Sequence, residues 1–69
     1  MNVELTRSEI EFLISEYIVG QNAERDRQII ARRLIDGICF EPLSEEFGLS
    51  VRQIKNIVYK CENKIFKHL

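Results

Sequence analysis

Long apolar runs are missing from this chain, and none approaches the roughly 18 residues that a membrane-spanning helix requires. The amino-terminal stretch MNVELTRSEI also lacks the basic start and apolar segment of a secretory signal, so a cytoplasmic protein is expected. Cysteine and histidine are scarce. Cys39 and Cys61 sit far apart and the single histidine, His68, stands at the other end, which rules out both a zinc quartet and a redox CxxC pair. Reduced thiols are expected, with Cys61 in the core. There is no glycine-rich loop to cradle a phosphate, and the glutamates fall on solvated helical faces, so neither catalysis nor a cofactor nor a metal is expected. Low-complexity segments and internal repeats are absent too.

What is present is enough apolar matter for one small core. In 69 residues, 45% are hydrophobic and 30% charged, too apolar for a disordered tail and short enough for a single domain spanning 1–69. Punctuation is sparse. Gly20, Gly37, Pro42 and Gly48 cut the chain into four segments, and each has helical rather than strand periodicity. The expected fold is all-α, a compact four-helix domain containing a helix-turn-helix, with helices over about 7–19, 23–36, 41–47 and 51–67.

Each segment carries its own signals. The first opens with Thr6 three residues before Glu9, a capping box, with Leu5 and Ile10 at staple positions. Its apolar stripe is Ile10, Leu13, Ile14, Tyr17 and Ile18. The second follows Asn22, a good amino-terminal cap, and ends at Gly37, with Ile30, Leu34, Ile29, Ala31 and Ile35 facing inward. In the third, Pro42 is tolerable only within the first turn, and Leu43 and Phe47 face inward. The fourth starts at Ser50, which forms a second capping box with Gln53, and its stripe is Ile54, Ile57, Val58, Cys61 and Ile65.

The stretch FGLS joins the third and fourth segments. Gly48 supplies a positive φ without steric cost, Leu49 plugs the angle between helices, and Ser50 starts the next one, the spelling of a helix-turn-helix. Small Ser44 falls where the two helices would pack closest. The plainer reading is an ordinary helical hairpin. Charge bears on the choice. Residues 1–50 hold five arginines against ten acids, for −5, whereas residues 51–69 hold Arg52, Lys55, Lys60, Lys64 and Lys67 against Glu62, for +4. A polyanion would therefore meet the fourth helix, although lysines there also suit the helix dipole. The predicted shared core is Ile14, Ile30, Leu34, Leu43, Phe47, Leu49, Ile54, Ile57 and Cys61.

The span RRLIDGICFEPLSEEFGLSVRQIKNIVYKCENKI resembles region four of the primary-type sigma factors. It has the same order of a helix ending in glycine, a short acidic helix, a G-[LV]-[ST] turn and a long basic helix. FGLSVRQIKN is also similar to the LuxR-type output domain. The sigma resemblance implies a transcription regulator that binds double-stranded DNA through a recognition helix over 51–64 and touches RNA polymerase. By position, Val51, Arg52, Gln53, Lys55 and Asn56 match the base-reading and phosphate-binding stretch, and Lys60 a basic residue further along. Val51 stands where arginine is usual, and Cys39 where a capping threonine or serine is usual. The chain leaves no room for the sigma regions that melt DNA, so a stand-alone region-four-like regulator is implied.

On chemistry alone, Arg52 suits guanine and Gln53 adenine, while Lys55, Lys60 and Lys64 suit phosphates. Gln53 has the plainer role of closing the capping box. Tyr59 suits the sugar-phosphate backbone, a homodimer contact, or no role. Phe12 and Phe66 lie off the main stripes. The plain expectation is that the termini pack together and bury both; the alternative is an aromatic patch for a partner. The competing functional class is a protein-interaction module that binds RNA polymerase or another regulator. The face Arg52, Gln53, Lys55, Asn56 separates the two. If it is exposed and clear of acids, DNA is favoured; if Glu45, Glu46 or Glu62 neutralise it, the protein partner is. A strand anywhere, or an exposed Leu49 or Ile54, would contradict the fold.

Overall fold

A computed structural model of the chain describes residues 5–67; His68 and Leu69 lie outside the described residues, as do Met1 to Glu4. Four helices follow in order, α1 (Arg7–Tyr17), α2 (Ala23–Leu34), α3 (Phe40–Phe47) and α4 (Val51–Phe66), with no strand among the described residues.

Both capping boxes form. The Thr6 hydroxyl accepts from the Glu9 amide at 3.2 Å and the Glu9 carboxylate accepts from the Thr6 amide at 3.2 Å. At α4 the Ser50 hydroxyl accepts from the Gln53 amide at 3.1 Å, and Gln53 Oε1 accepts from the Ser50 amide at 2.9 Å. Each box satisfies two amides that a helix start otherwise leaves orphaned.

Helix ends differ from expectation where tertiary contacts intervene. α1 stops at Tyr17, two residues before Val19, because Ile18 is extended (φ −95, ψ 93). Leaving the helix there keeps Ile18 in the core, at 2% exposure. The carbonyls left open are met by Arg27 of α2, whose Nε donates to Ile18 O at 2.7 Å and Nη2 to Ser15 O at 3.0 Å. Asn22 occupies the cap position of α2 yet forms no side-chain cap, since its backbone (φ −109, ψ 24) is not the extended form that capping needs. α2 ends at Leu34 rather than Asp36, and the chain reverses at Gly37 (φ 69) with the Ile38 amide donating back to Arg32 O at 3.1 Å. α3 begins at Phe40, one residue before the expected 41, with Cys39 as an extended but uncapped start and Pro42 in the first turn. It closes at Gly48 (φ 67), where the Leu49 amide reaches Ser44 O at 3.0 Å. That backward bond is of the kind that glycine in the left-handed region permits. The Ser44 hydroxyl donates to Glu41 O at 2.6 Å.

Ile14, Ile18, Ile29, Ile30, Leu43, Ile54, Val58, Cys61 and Ile65 form the buried core. Leu34, Phe47, Leu49 and Ile57 pack against it half-buried, as expected for a domain this small, whose core is only one layer deep. α2 against α4 is the largest contact; α1 and α3 each touch both and do not meet each other. The radius of gyration, 11.6 Å, is near the roughly 11 Å of a compact domain of this length. Among the described residues one acid is buried, Asp26 at 5% exposure. Arg25 holds it through Nε and Nη2, each 3.2 Å from Oδ1, the pairing that a buried charge needs.

Removing the Arg27 side chain leaves two helix-end carbonyls without their donor, so Arg27→Ala should lower unfolding free energy by about 1–3 kcal/mol. Arg7→Ala, which breaks an exposed pair with Glu11, should change it by less than about 0.5 kcal/mol. Urea melts of the two variants check this; equal losses would contradict the capping role of Arg27.

Candidate nucleic-acid interface

α4 buries Ile54, Val58, Cys61 and Ile65, a stripe at helical spacing that turns the opposite side outward. Arg52, Gln53, Lys55, Asn56, Tyr59 and Lys60 are all exposed there; Val51 and Lys64 are half-buried at the margins. The sequence-predicted residues therefore share one helix, six of them on its solvent side. Gln53 is partly committed. Its Oε1 accepts from Ser50, which leaves the amide nitrogen to face a ligand. Tyr59 is not isolated either, since its ring sits edge-on to Phe40, 6.1 Å between centroids at 79°.

Acids were the deciding test for this face. Among the described residues, no ion pair involves Arg52, Lys55, Lys60, Lys64 or Lys67. Glu46 turns instead to α2, where Arg32 Nη2 lies 2.9 Å from its Oε1 and Arg32 Nη1 lies 3.3 Å from Asp36. The Glu46 hydrogen bond and charge, with help from Asp36, raise the pKa of the Arg32 guanidinium further. One arginine thus holds an acid of α3 together with one just beyond the end of α2. Neither Glu45 nor Glu62 is ion-paired among the described residues.

Sequence reasoning missed Phe40 and Arg33. Arg33 Cζ lies 4.6 Å from the Phe40 ring centroid and Lys55 Nζ 5.7 Å from it, both within cation–π range. These residues come from α2, α3 and α4, so no single helical periodicity reveals the cluster. A shallow hollow beside it is lined by Cys39, Phe40, Glu41, Pro42, Val51 and Lys55.

The expected mutual burial of Phe12 and Phe66 does not occur. They are 63% and 40% exposed, because Phe12 stands off the stripe of Ile10, Leu13 and Ile14 and Phe66 off that of Cys61 and Ile65. Phe12 lines an apolar hollow with Leu5, Ser8, Glu9 and Leu13. Among the described residues no helix is long and apolar enough to cross a membrane, and no group of three His, Cys, Asp or Glu side chains is placed to hold a metal. Comparison of the chain with protein-family models, with curated proteins and with solved structures finds no match in any of the three.

Both cysteines are free, Cys39 exposed and Cys61 buried. Burial, followed by the negative charge of Asp26, pushes the Cys61 thiol from 9.0 up to about 11. One thiol should therefore react promptly with a disulfide reagent in the native state and the second only on unfolding. A folded-state pKa above the unfolded one gives stability that is present below pH 9.0 and lost as pH rises towards about 11. Denaturant melts across that window should show a loss on the order of 2 kcal/mol that Cys61→Ala abolishes. Equal reactivity of the two thiols would contradict the burial of Cys61.

Proposed function

We propose that this chain is a small DNA-binding transcription regulator that resembles sigma factor region four, with α4 as a recognition helix in the major groove and residues 48–50 as the turn of a helix-turn-helix. The observation that carries the reading is the state of α4's outward face, exposed and, among the described residues, clear of carboxylate partners while Arg32 holds Glu46 and Asp36. A cationic helix face left without internal partners is what a polyanion requires.

Roles follow from position. Arg52 lies in the first turn of α4, where a recognition helix reaches base edges, and its planar fork matches guanine. The free amide nitrogen of Gln53 and the side chain of Asn56 stand beside it. Lys55, Lys60 and Lys64 meet phosphates, which contribute affinity without sequence information. Val51, at the first position of α4, offers an apolar contact where region four usually has arginine, so the sequence read differs from that of the sigma family.

A second reading has an observation of its own. Phe12, with Leu5 and Leu13 around its hollow, gives α1 an apolar surface suited to RNA polymerase, another regulator or a second copy of the chain. That surface is on a different helix from the basic face, so a protein partner and DNA are compatible.

Binding to duplex DNA should weaken with salt, log affinity falling against log salt with a slope of about −3 to −5 per domain. Lys60→Ala should weaken binding to all sequences alike and flatten that slope by about one. Arg52→Ala should cost about 1–3 kcal/mol on the preferred site and relax discrimination at one base pair. Titrations on a selected and a scrambled duplex at several salt concentrations separate these effects. A wild-type chain that ignores duplex DNA at low salt would overturn the reading in favour of the protein-interaction module.

A further inference from the structure

The reversal at Gly37 brings the start of α3 back beside the last turn of α2. Arg33 fixes the return by donating from Nη1 to Ile38 O at 3.2 Å, and its guanidinium then lies over the Phe40 ring, 4.6 Å from the centroid. Lys55 approaches the same ring from α4, with Nζ at 5.7 Å, so the two cations are at most about 10 Å apart. Neither has an ion-pair partner among the described residues. Asp36 and Glu46 are held by Arg32. Glu41 lines the hollow with Lys55 but forms no ion pair among the described residues.

Two like charges within about 10 Å of each other repel, and an anion that meets both reverses the sign of that interaction. The aromatic ring offers each cation only a weak counterpart, roughly 0.5–1 kcal/mol at an exposed site, and it leaves the donors on the guanidinium edge free. A planar fork stacked on a ring and pinned at one nitrogen is preorganised for a tetrahedral oxyanion.

We propose that Arg33 and Lys55, set about the Phe40 ring, form a seat for one backbone phosphate of the duplex, extending the contact surface from α4 to the end of α2. The proposal rests on the DNA-binding reading. If α4 enters the major groove, the helix before it crosses the sugar-phosphate backbone, and the amino end of α3, where Phe40 stands, meets that strand. Tyr59, exposed and edge-on to Phe40, borders the seat on the α4 side. Arg33 is a positioning and affinity contact; it reads no base.

Four substitutions test the seat, each compared with Arg7→Ala in duplex titrations from about 50 to 200 mM salt. Arg33→Ala should lower affinity about 3- to 10-fold on selected and scrambled duplexes alike and flatten the salt slope by about one, the signature of one lost phosphate contact. Arg33→Lys keeps the charge and loses the stacked fork, so it should retain the slope while losing part of the affinity. Phe40→Leu should behave like a partial Arg33→Ala, and Glu41→Gln should bind more tightly than wild type by removing the one acid in the hollow. Far-UV circular dichroism and thermal melts must show each variant folded; if Arg33→Ala is not, the Arg33→Lys and Glu41→Gln results decide. If wild type binds duplex but Glu41→Gln gains nothing and Arg33→Lys, with Arg33→Ala where it folds, loses nothing, this seat is wrong and the DNA reading stands. If wild type binds no duplex at low salt, both fall together.

Discussion

The burial of one stripe of α4 is the interaction on which the rest depends. Ile54, Val58, Cys61 and Ile65 are the residues of α4 inside the core, and α4 is packed against every other helix. Fully burying side chains of this size is worth about 1.5–3 kcal/mol each, a large share of the net stability a domain this small attains. With that side committed and Ile57 packed at its edge, helical geometry turns Arg52, Gln53, Lys55, Asn56, Tyr59 and Lys60 outward. The apolar stripe and the exposed basic face are thus two aspects of one constraint.

α2 completes the arrangement through arginines that each do something different. Arg25 holds buried Asp26, Arg27 closes the carbonyl end of α1, Arg32 gathers Asp36 and Glu46, and Arg33 lies over Phe40. Four acids of the first fifty residues, Glu11, Asp26, Asp36 and Glu46, are therefore held by arginines of α1 and α2 and not by the cations of α4. The exposed pairs contribute little to stability. Their consequence is electrostatic: they govern which cations remain free. Arg32 is the clearest case, because without it Glu46 would be an unpaired acid on the helix that precedes the basic face.

Local signals in the sequence carried most of this fold. Thr6 with Glu9 and Ser50 with Gln53 are patterns within one turn, and both boxes form; the stripe of α4 was readable because its spacing is regular and its residues strongly apolar. The failures share a cause. Asn22 has the right side chain at the right place, but the turn from Gly20 sets its backbone wrongly for capping. α1 ends early because Ile18 is worth more in the core than in another helical turn, and the group that makes the ending tolerable, Arg27, is nine residues away. Phe12 was expected to be buried together with Phe66, but both stand off the apolar stripes of their helices and are exposed. Of the candidate site, the residues on α4 were readable from one helix, whereas Arg33 and Phe40 join it only through tertiary contact across α2, α3 and α4.

Amide chemical-shift mapping of the isotope-labelled chain, titrated with a duplex selected from a random pool, tests the central claim most directly. Docking by α4 predicts the largest shifts at Arg52, Gln53, Lys55 and Asn56, with a second group at Phe40 and the end of α2, and little change at Phe12. Shifts centred on α1, or none at low salt, would contradict it.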